Sequence, residues 1–501
     1  MTASPAEFIV FFVLTGGITA LGFVASRWKR SDLSGLEEWG LAGRRLGTFL
    51  TWFLLGGDLY TAYTFVAVPG LVFGKGALGF FAVPYTVLVF PIAFFFIPVL
   101  WQVARNKGYV TAADFVKDRF QSKSLAVTVA ITGILATIPY VALQIYGIEV
   151  SIGEMGIPVH LALTIAFVAL AAFTYVSGLR APVLIAVVKD LLIFITVILA
   201  VIIVPSHLGG FNHIFNSVPK KYVGLPPKFF SAYSSLAIGS ALALFLYPHS
   251  INGSLGARSK DIVKRNMALL PIYSVVLGLI ALLGYMAIAA HVHVPKAYGA
   301  NAAAPALFQQ MFPAPVAGMA LAAISIGALV PASVMSIAAA NLFSRNLWHD
   351  LLRPGSGRNQ EATVAKIASL AVKFAALVFI LAVPTKYVLY YQTAGGVWIV
   401  QTLPAVFLAL FIKWLDKWAT LLGMLVGLIW GTYLLAKVAF KTSFYSFNIF
   451  GHHSVLYIGI PTLVINVAIV LVGTLISRAA RSGSALGALR EEDFLEKLLA
   501  N

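Results

Sequence analysis

Long uninterrupted apolar runs dominate this chain. A helix that crosses a bilayer needs roughly 20 mainly apolar residues, because lipid offers no partner to backbone N–H and C=O groups. About thirteen segments of the 501-residue sequence meet that need, at 6–26, 47–71, 77–104, 124–151, 158–177, 181–204, 230–250, 267–290, 316–343, 364–384, 387–412, 418–437 and 456–477. The runs are continuous and do not alternate over short strands, so a β-barrel is excluded and an all-α integral membrane protein is expected. Only 11% of the residues are charged, whereas soluble domains carry about 25%. That excludes a soluble enzyme, a disordered chain and a nucleic-acid binder. With no cysteine, the chain has no disulfide, thiolate nucleophile or cysteine-held metal.

The net charge of +17 reads as basic loops on one side of a membrane. The leader MTASPAE has no Lys or Arg, while Arg27, Lys29 and Arg30 follow the first run, so it is not a signal peptide. With the N-terminus outside, the loops divide their Lys and Arg about 25 inside to about 8 outside. The C-terminal tail then falls in the cytoplasm, and its acidic cluster (Glu491, Glu492, Asp493, Glu496) reads as a short amphipathic tail. The outer segments 205–229 and 291–315 are either lids or solvated linkers.

Transport spans are often broken near the midplane, where unwound backbone binds ions. In the second run Gly56 and Gly57 precede Asp58 and a hydroxyl cluster, Tyr60, Thr61, Tyr63 and Thr64, so a break is expected there. In the seventh run Gly239 and Ser240 are the candidate break, ahead of Tyr247, Pro248 and His249. Charges at membrane depth cost about 2.5–3.5 kcal/mol each and tend to be functional. Asp58, Lys189 and Asp190 are such charges. Adjacent helical residues point about 100° apart, so Lys189 and Asp190 are each expected to have another partner. Glu149 is expected to reach the interface and Lys373 to snorkel. In the ninth run Ser333 and Ser336 share a helix face behind Pro331.

Four stretches, GGDLYTAYTFVAVPG (56–70), YVSGLRAPVLIAVVKD (175–190), ASVMSIAAANLFSRNLW (332–348) and AGGVWIVQTLPAVFLALF (394–411), resemble the sodium/solute symporter family. With PHSINGSLGARSKDIVKRNM (248–267), the likeness is strongest to bacterial monocarboxylate permeases. The resemblance implies the 5+5 inverted-repeat fold of the leucine-transporter type, with one leading and two trailing helices. The expected divisions are a leading helix and loop (1–46), a first repeat (47–204), an external loop (205–229), a second repeat (230–412), two peripheral helices (413–477) and a tail (478–501). It also implies a cation site made by Gly56 and Leu59 of span two and Ser333 and Ser336 of span nine. Isoleucine stands at 337 where the family has a second hydroxyl, and Lys189-Asp190 stands where it usually has Thr-Asp.

The expected function is cation-coupled symport of short monocarboxylates by alternating access, with H+ favoured over Na+ as the coupling ion. No cofactor is expected, and the partners are a small acid and the lipid bilayer. Thr61 and Thr64, beside the freed N–H groups of the outer half-helix, are the candidate carboxylate ligands. Tyr140 and Gln144 on span four, and Trp398 and Gln401 on span eleven, are expected to face the same cavity. Sodium-coupled uptake of another small organic solute is the alternative, followed by a transporter-derived sensor or a channel. The tail is too short for a kinase domain, and no span carries a polar stripe. The HisHis pair at 452–453 is expected to be solvated.

Overall fold

The computed structural model describes residues 3–27, 35–383, 387–449 and 451–480. The acidic tail cluster lies outside them. Helix α1 (Pro5–Arg27) leads, and a short α2 (Leu36–Leu41) follows. The first set of spans comprises α3 (Thr48–Gly57) and α4 (Val68–Lys75), α5 (Ala82–Lys107), a short α6 (Ala112–Phe120), α7 (Lys123–Glu154), α8 (Val159–Ser177) and α9 (Arg180–His207). Short helices α10 (Phe211–Ser217) and α11 (Lys220–Val223) lead to the second set. This comprises α12 (Phe230–Leu244) and α13 (Pro248–Leu255), α14 (Lys260–Leu269) and α15 (Ile272–Ala289), α16 (Ala303–Met311), α17 (Ala314–Leu342), α18 (Arg358–Ala382), α19 (Val388–Ile399) and a last turn, α20 (Ala409–Phe411). Helices α21 (Lys417–Lys437) and α22 (Gly459–Ala480) pack together at the end.

By length and composition, ten helices among the described residues suffice to cross a membrane, and the bent pair around 245–247 makes an eleventh. Part of the difference from thirteen apolar runs has a local cause. The break in span two leaves α3 only 10 residues long. Beyond it, helical turns run on from Tyr63 to Lys107, joining the outer half of span two to span three.

Expectation and structure differ at the outer face as well. Between α21 and α22 the chain forms an antiparallel hairpin, β1 (Phe444–Ile449) and β2 (His452–Tyr457), with Phe444 opposite Tyr457. His453 is exposed on it. The segments read as lids or linkers are packed: the Tyr222 hydroxyl donates to the Gly74 carbonyl at 3.1 Å, and α16 buries its apolar face against α4, α7 and α17.

Helix α17 is the axis of the molecule. Its alanines, glycines and serines allow α7, α1, α9 and α18 to approach closely, and it is buried along its length. Around this axis large apolar side chains face outward, among them Ile429 at 68% and Phe95 at 66% exposure. Such a surface suits lipid. At one end, ion pairs tie the loops: Arg44 to Glu37 at 2.8 Å, Arg180 to Glu38 at 2.6 Å and Lys117 to Asp350 at 3.0 Å.

Candidate functional site

Span two is interrupted just after its two glycines. Helix α3 ends at Gly57, residues 58–61 form a turn, and helical structure resumes at Ala62. The glycines serve two different neighbours. A Cβ on Gly56 would run into the Tyr273 ring of α15, and one on Gly57 would come 2.9 Å from Lys189 Nζ. The outer half-helix begins with its own caps. Thr64 Oγ1 donates to the Leu59 carbonyl at 2.5 Å and accepts from Thr61 N–H at 3.3 Å. Thr61 Oγ1 accepts from Tyr63 N–H at 3.1 Å, and Gln144 Oε1 reaches across from α7 to accept from Ala62 N–H at 2.9 Å. The N–H groups expected to meet a substrate carboxylate are thus already bonded, and Thr61, Thr64 and Gln144 act as capping groups.

Span seven breaks later than expected. Helix α12 runs through Gly239 and Ser240 to Leu244, and α13 restarts at Pro248 after a 45° bend. Proline at the first helical position fixes the restart. Gly239 is instead a packing glycine, lying against the Tyr457 ring.

The two breaks meet. Ser250 Oγ donates to Asp58 Oδ2 at 3.0 Å, and His249 Nε2 lies 3.4 Å from the same oxygen. All three are buried. The His249 ring stacks edgewise on Tyr140, with centroids 5.5 Å apart, and tilts against Tyr247 at 5.4 Å. Above them lies a small cavity lined by Tyr63, Tyr85, Tyr140, Tyr247, Tyr457 and Thr393. Sequence reasoning brought Asp58 and Tyr140 to this place but missed His249, Ser250, Tyr85 and Tyr457. The buried polar stretch His249–Asn252, directly after Pro248, was the available signal for the first two.

Beside the first break is a second cluster. Lys189 Nζ donates to the Gly57 carbonyl at 2.6 Å and the Tyr60 carbonyl at 3.0 Å, and lies 2.9 Å from Asp190 Oδ1. The ammonium thus donates to two carbonyls and meets the carboxylate as an ion pair. Tyr273 donates to Asp190 Oδ2 at 2.7 Å. Both side chains are fully buried. Lys189 and Asp190 therefore pair with each other as well as with further partners, because a lysine stem is long enough to bend across the 100° between adjacent positions. The ammonium sits one residue along from each span-two oxygen that the resemblance implied. The Gly56 carbonyl accepts from Leu59 N–H at 3.0 Å, and the Leu59 carbonyl holds Thr64. On span nine Ser336 Oγ donates to the Ser333 carbonyl and Ser333 Oγ to the Leu329 carbonyl, each at 3.0 Å.

Other expected positions fall elsewhere. Gln401 donates to Thr462 Oγ1 at 3.0 Å and its carbonyl accepts from Asn466, both on α22. Trp398 Nε1 donates to Thr432 on α21 at 3.0 Å. The pair fastens the second set to the trailing helices and does not face the tyrosine cavity. Lys373 is buried and donates to Ser369 Oγ at 2.9 Å, so it does not snorkel. Glu149 is buried too and does not reach the interface. No group of three metal-binding side chains occurs among the described residues.

Two interrupted spans that meet at buried charges, around a scaffold of packed helices, define a secondary transporter of the inverted-repeat type. The chain belongs to the sodium:solute symporter family, whose model matches residues 39–427. The family is one of cation-coupled symporters, so the chain is a multi-pass membrane transporter. It is similar to a monocarboxylate transport permease protein of Rhizobium johnstonii, 46% identical over 475 residues, which are 93% of this chain and 95% of that protein. It is also similar to an uncharacterized symporter of Bacillus subtilis, at 36% identity over 85% of this chain and 87% of the other. Its fold matches a Na+-coupled sialic acid symporter in the substrate-bound outward-open state, with a TM-score of 0.74 at 16% identity, over 94% of this chain and 98% of that one.

Proposed function

We propose that this chain is a proton-coupled symporter of short monocarboxylates such as lactate and pyruvate, with its N-terminus outside and its C-terminus in the cytoplasm. The observation that carries the coupling is the Lys189 ammonium bound to the Gly57 and Tyr60 carbonyls. While charged, it fastens α9 to the break in span two, as a coupling cation would. Once the proton leaves, the neutral amine loses its charge and one of its three donors, and the fastening weakens. Asp190, held by Tyr273, is the near acceptor for that proton.

The substrate acid sits in the tyrosine-lined cavity, its carboxylate toward His249 and its keto or hydroxyl oxygen among the phenols. The name of the Rhizobium relative supports this class of substrate. The small, hydroxyl-rich lining supports it too, since a buried polar lining rejects solutes that leave it unpaired.

Sodium-coupled uptake of another small solute is the second reading. The Gly56, Leu59 and Ser333 carbonyls and the Ser336 hydroxyl are its candidate ligands, and the Na+-coupled structural neighbour favours it. Ile337 leaves that oxygen shell short, so desolvation of sodium is poorly compensated. The test is uptake of labelled lactate, pyruvate, acetate and alanine into proteoliposomes, with proton and sodium gradients imposed separately. Lactate uptake driven by an inward proton gradient in sodium-free buffer, competed by pyruvate but not by glucose, is expected. Strict sodium dependence overturns the coupling, and glucose or proline uptake blind to lactate overturns the substrate.

A further inference from the structure

We propose that Tyr457, a residue outside both repeats, closes the outer end of the substrate cavity and limits the length of acid the transporter takes. The proposal rests on the reading of the tyrosine-lined cavity as the substrate site.

Tyr457 ends strand β2 and is 1% exposed. Its N–H donates to Ser235 Oγ on α12 at 2.9 Å, and its hydroxyl donates to the Thr393 carbonyl on α19 at 2.8 Å. One residue therefore ties the outer half of the broken span seven, through its backbone N–H, to the last long helix of the second set, through its hydroxyl. Three glycines make room for it. A Cβ on Gly239 would come 2.5 Å from the ring, one on Gly396 2.5 Å from the hydroxyl, and one on Gly459 2.6 Å from the ring. These glycines lie on α12, α19 and α22. The hairpin grips the same helix a second time: Ser443 Oγ donates to the Tyr390 carbonyl at 3.0 Å and lies 2.7 Å from Thr393 Oγ1.

The ring is thus a wall of the cavity, facing Tyr63, Tyr85, Tyr140 and Tyr247. On the orientation read from the loop charges, it lies between the cavity and the outside. Opening the outer half of span seven requires that this contact be released, and a longer acid in the cavity would meet the ring first.

Two experiments test this. The first measures inhibition of pyruvate uptake by a series of straight-chain 2-oxo acids of increasing length. The wild type is expected to discriminate steeply against the longer acids. Tyr457→Ala is expected to relax the ratio of long to short by about tenfold or more, the worth of a methylene or two against a tight wall. Tyr457→Phe, which keeps the ring, is expected to retain the wild-type profile. An unchanged profile in an active Tyr457→Ala overturns the size limit. Tyr457→Leu carries the same expectation should the alanine variant fail to accumulate.

The second experiment does not depend on the substrate. The chain has no cysteine, so Ser240→Cys on the cavity wall gives a single thiol. A membrane-impermeant thiosulfonate added from outside is expected to label it about tenfold faster when Tyr457 is leucine or alanine. Equal rates overturn the closure. Wild-type protein that transports no monocarboxylate overturns the substrate reading and the size limit with it, while the labelling rates still decide the closure.

Discussion

Asp58, in the break of span two, and His249, in the first turn after the break of span seven, stand 3.4 Å apart. The contact joins the two elements whose outer and inner halves must tilt in alternating access. It also places an acid and an imidazole behind Tyr140 and Tyr247 of the cavity wall. Asp58 Oδ1 has no hydrogen-bond partner of its own. A buried carboxylate oxygen left in this state is costly, and its retention fits a working group.

Asp58→Asn is expected to insert and fold yet lose more than about tenfold of its uptake. His249→Gln should do the same. The double variant should lose little more than either alone, because residues in contact act as a unit. Initial rates of lactate uptake at matched protein content are the measurement. Normal transport by Asp58→Asn contradicts the assignment.

Lys189→Ala leaves Asp190 buried beside unpaired carbonyls. It should lower stability by about 3–5 kcal/mol, seen as a lower thermal midpoint in detergent, and abolish proton-driven uptake. Lys189→Ala with Asp190→Asn removes both charges and should recover much of the stability without restoring uptake. Proton-driven uptake that survives in Lys189→Ala would sink the lysine mechanism.

The two glycines before the break should be far less tolerant than one nearer the outside. An alanine Cβ at Gly57 lands 2.9 Å from Lys189 Nζ and 3.1 Å from Asp190 Oδ1, in a buried ion pair with no room to yield. Gly57→Ala should lose transport, and Gly56→Ala should lose folded yield against the Tyr273 ring. At Gly74 the nearest atom would be the Ala300 Cβ at 3.6 Å, so Gly74→Ala should stay within about 0.5 kcal/mol of wild type. Size-exclusion profiles and uptake distinguish the three.

Gln401→Ala removes a bond to Thr462 and leaves Asn466 partly unpaired, at a cost of about 1–3 kcal/mol. Since the side chain faces α22, the apparent affinity for lactate should not change. A weakened affinity at unchanged thermal stability would return Gln401 to the substrate site.

The apolar spans, the break after Gly57 and the charges Asp58, Lys189 and Asp190 inside the spans were legible because each is a local signal: apolar length, adjacent glycines, charge at depth. The rest depended on distant partners. Helical spacing told that Trp398 and Gln401 share a face, but only α21 and α22 decide where it points. Gly239 read as a weak point in its helix, whereas its missing side chain serves Tyr457, a residue far along the chain. His249 passed as the polar end of an apolar run because its partner lies on a distant span.

A proton exchanged at the fixed ammonium of Lys189 would set the driving force of the cycle. On the proposed coupling the lysine stays behind and only its proton crosses. At one proton per acid the charges of anion and proton cancel, as those of an anion and a single sodium ion would. An electrogenic carrier gains about 2.3 kcal/mol per charge from each 100 mV across the membrane. The proposed cycle would gain nothing from voltage, and the acid would accumulate to the extent that the pH difference alone allows, whatever the sodium gradient.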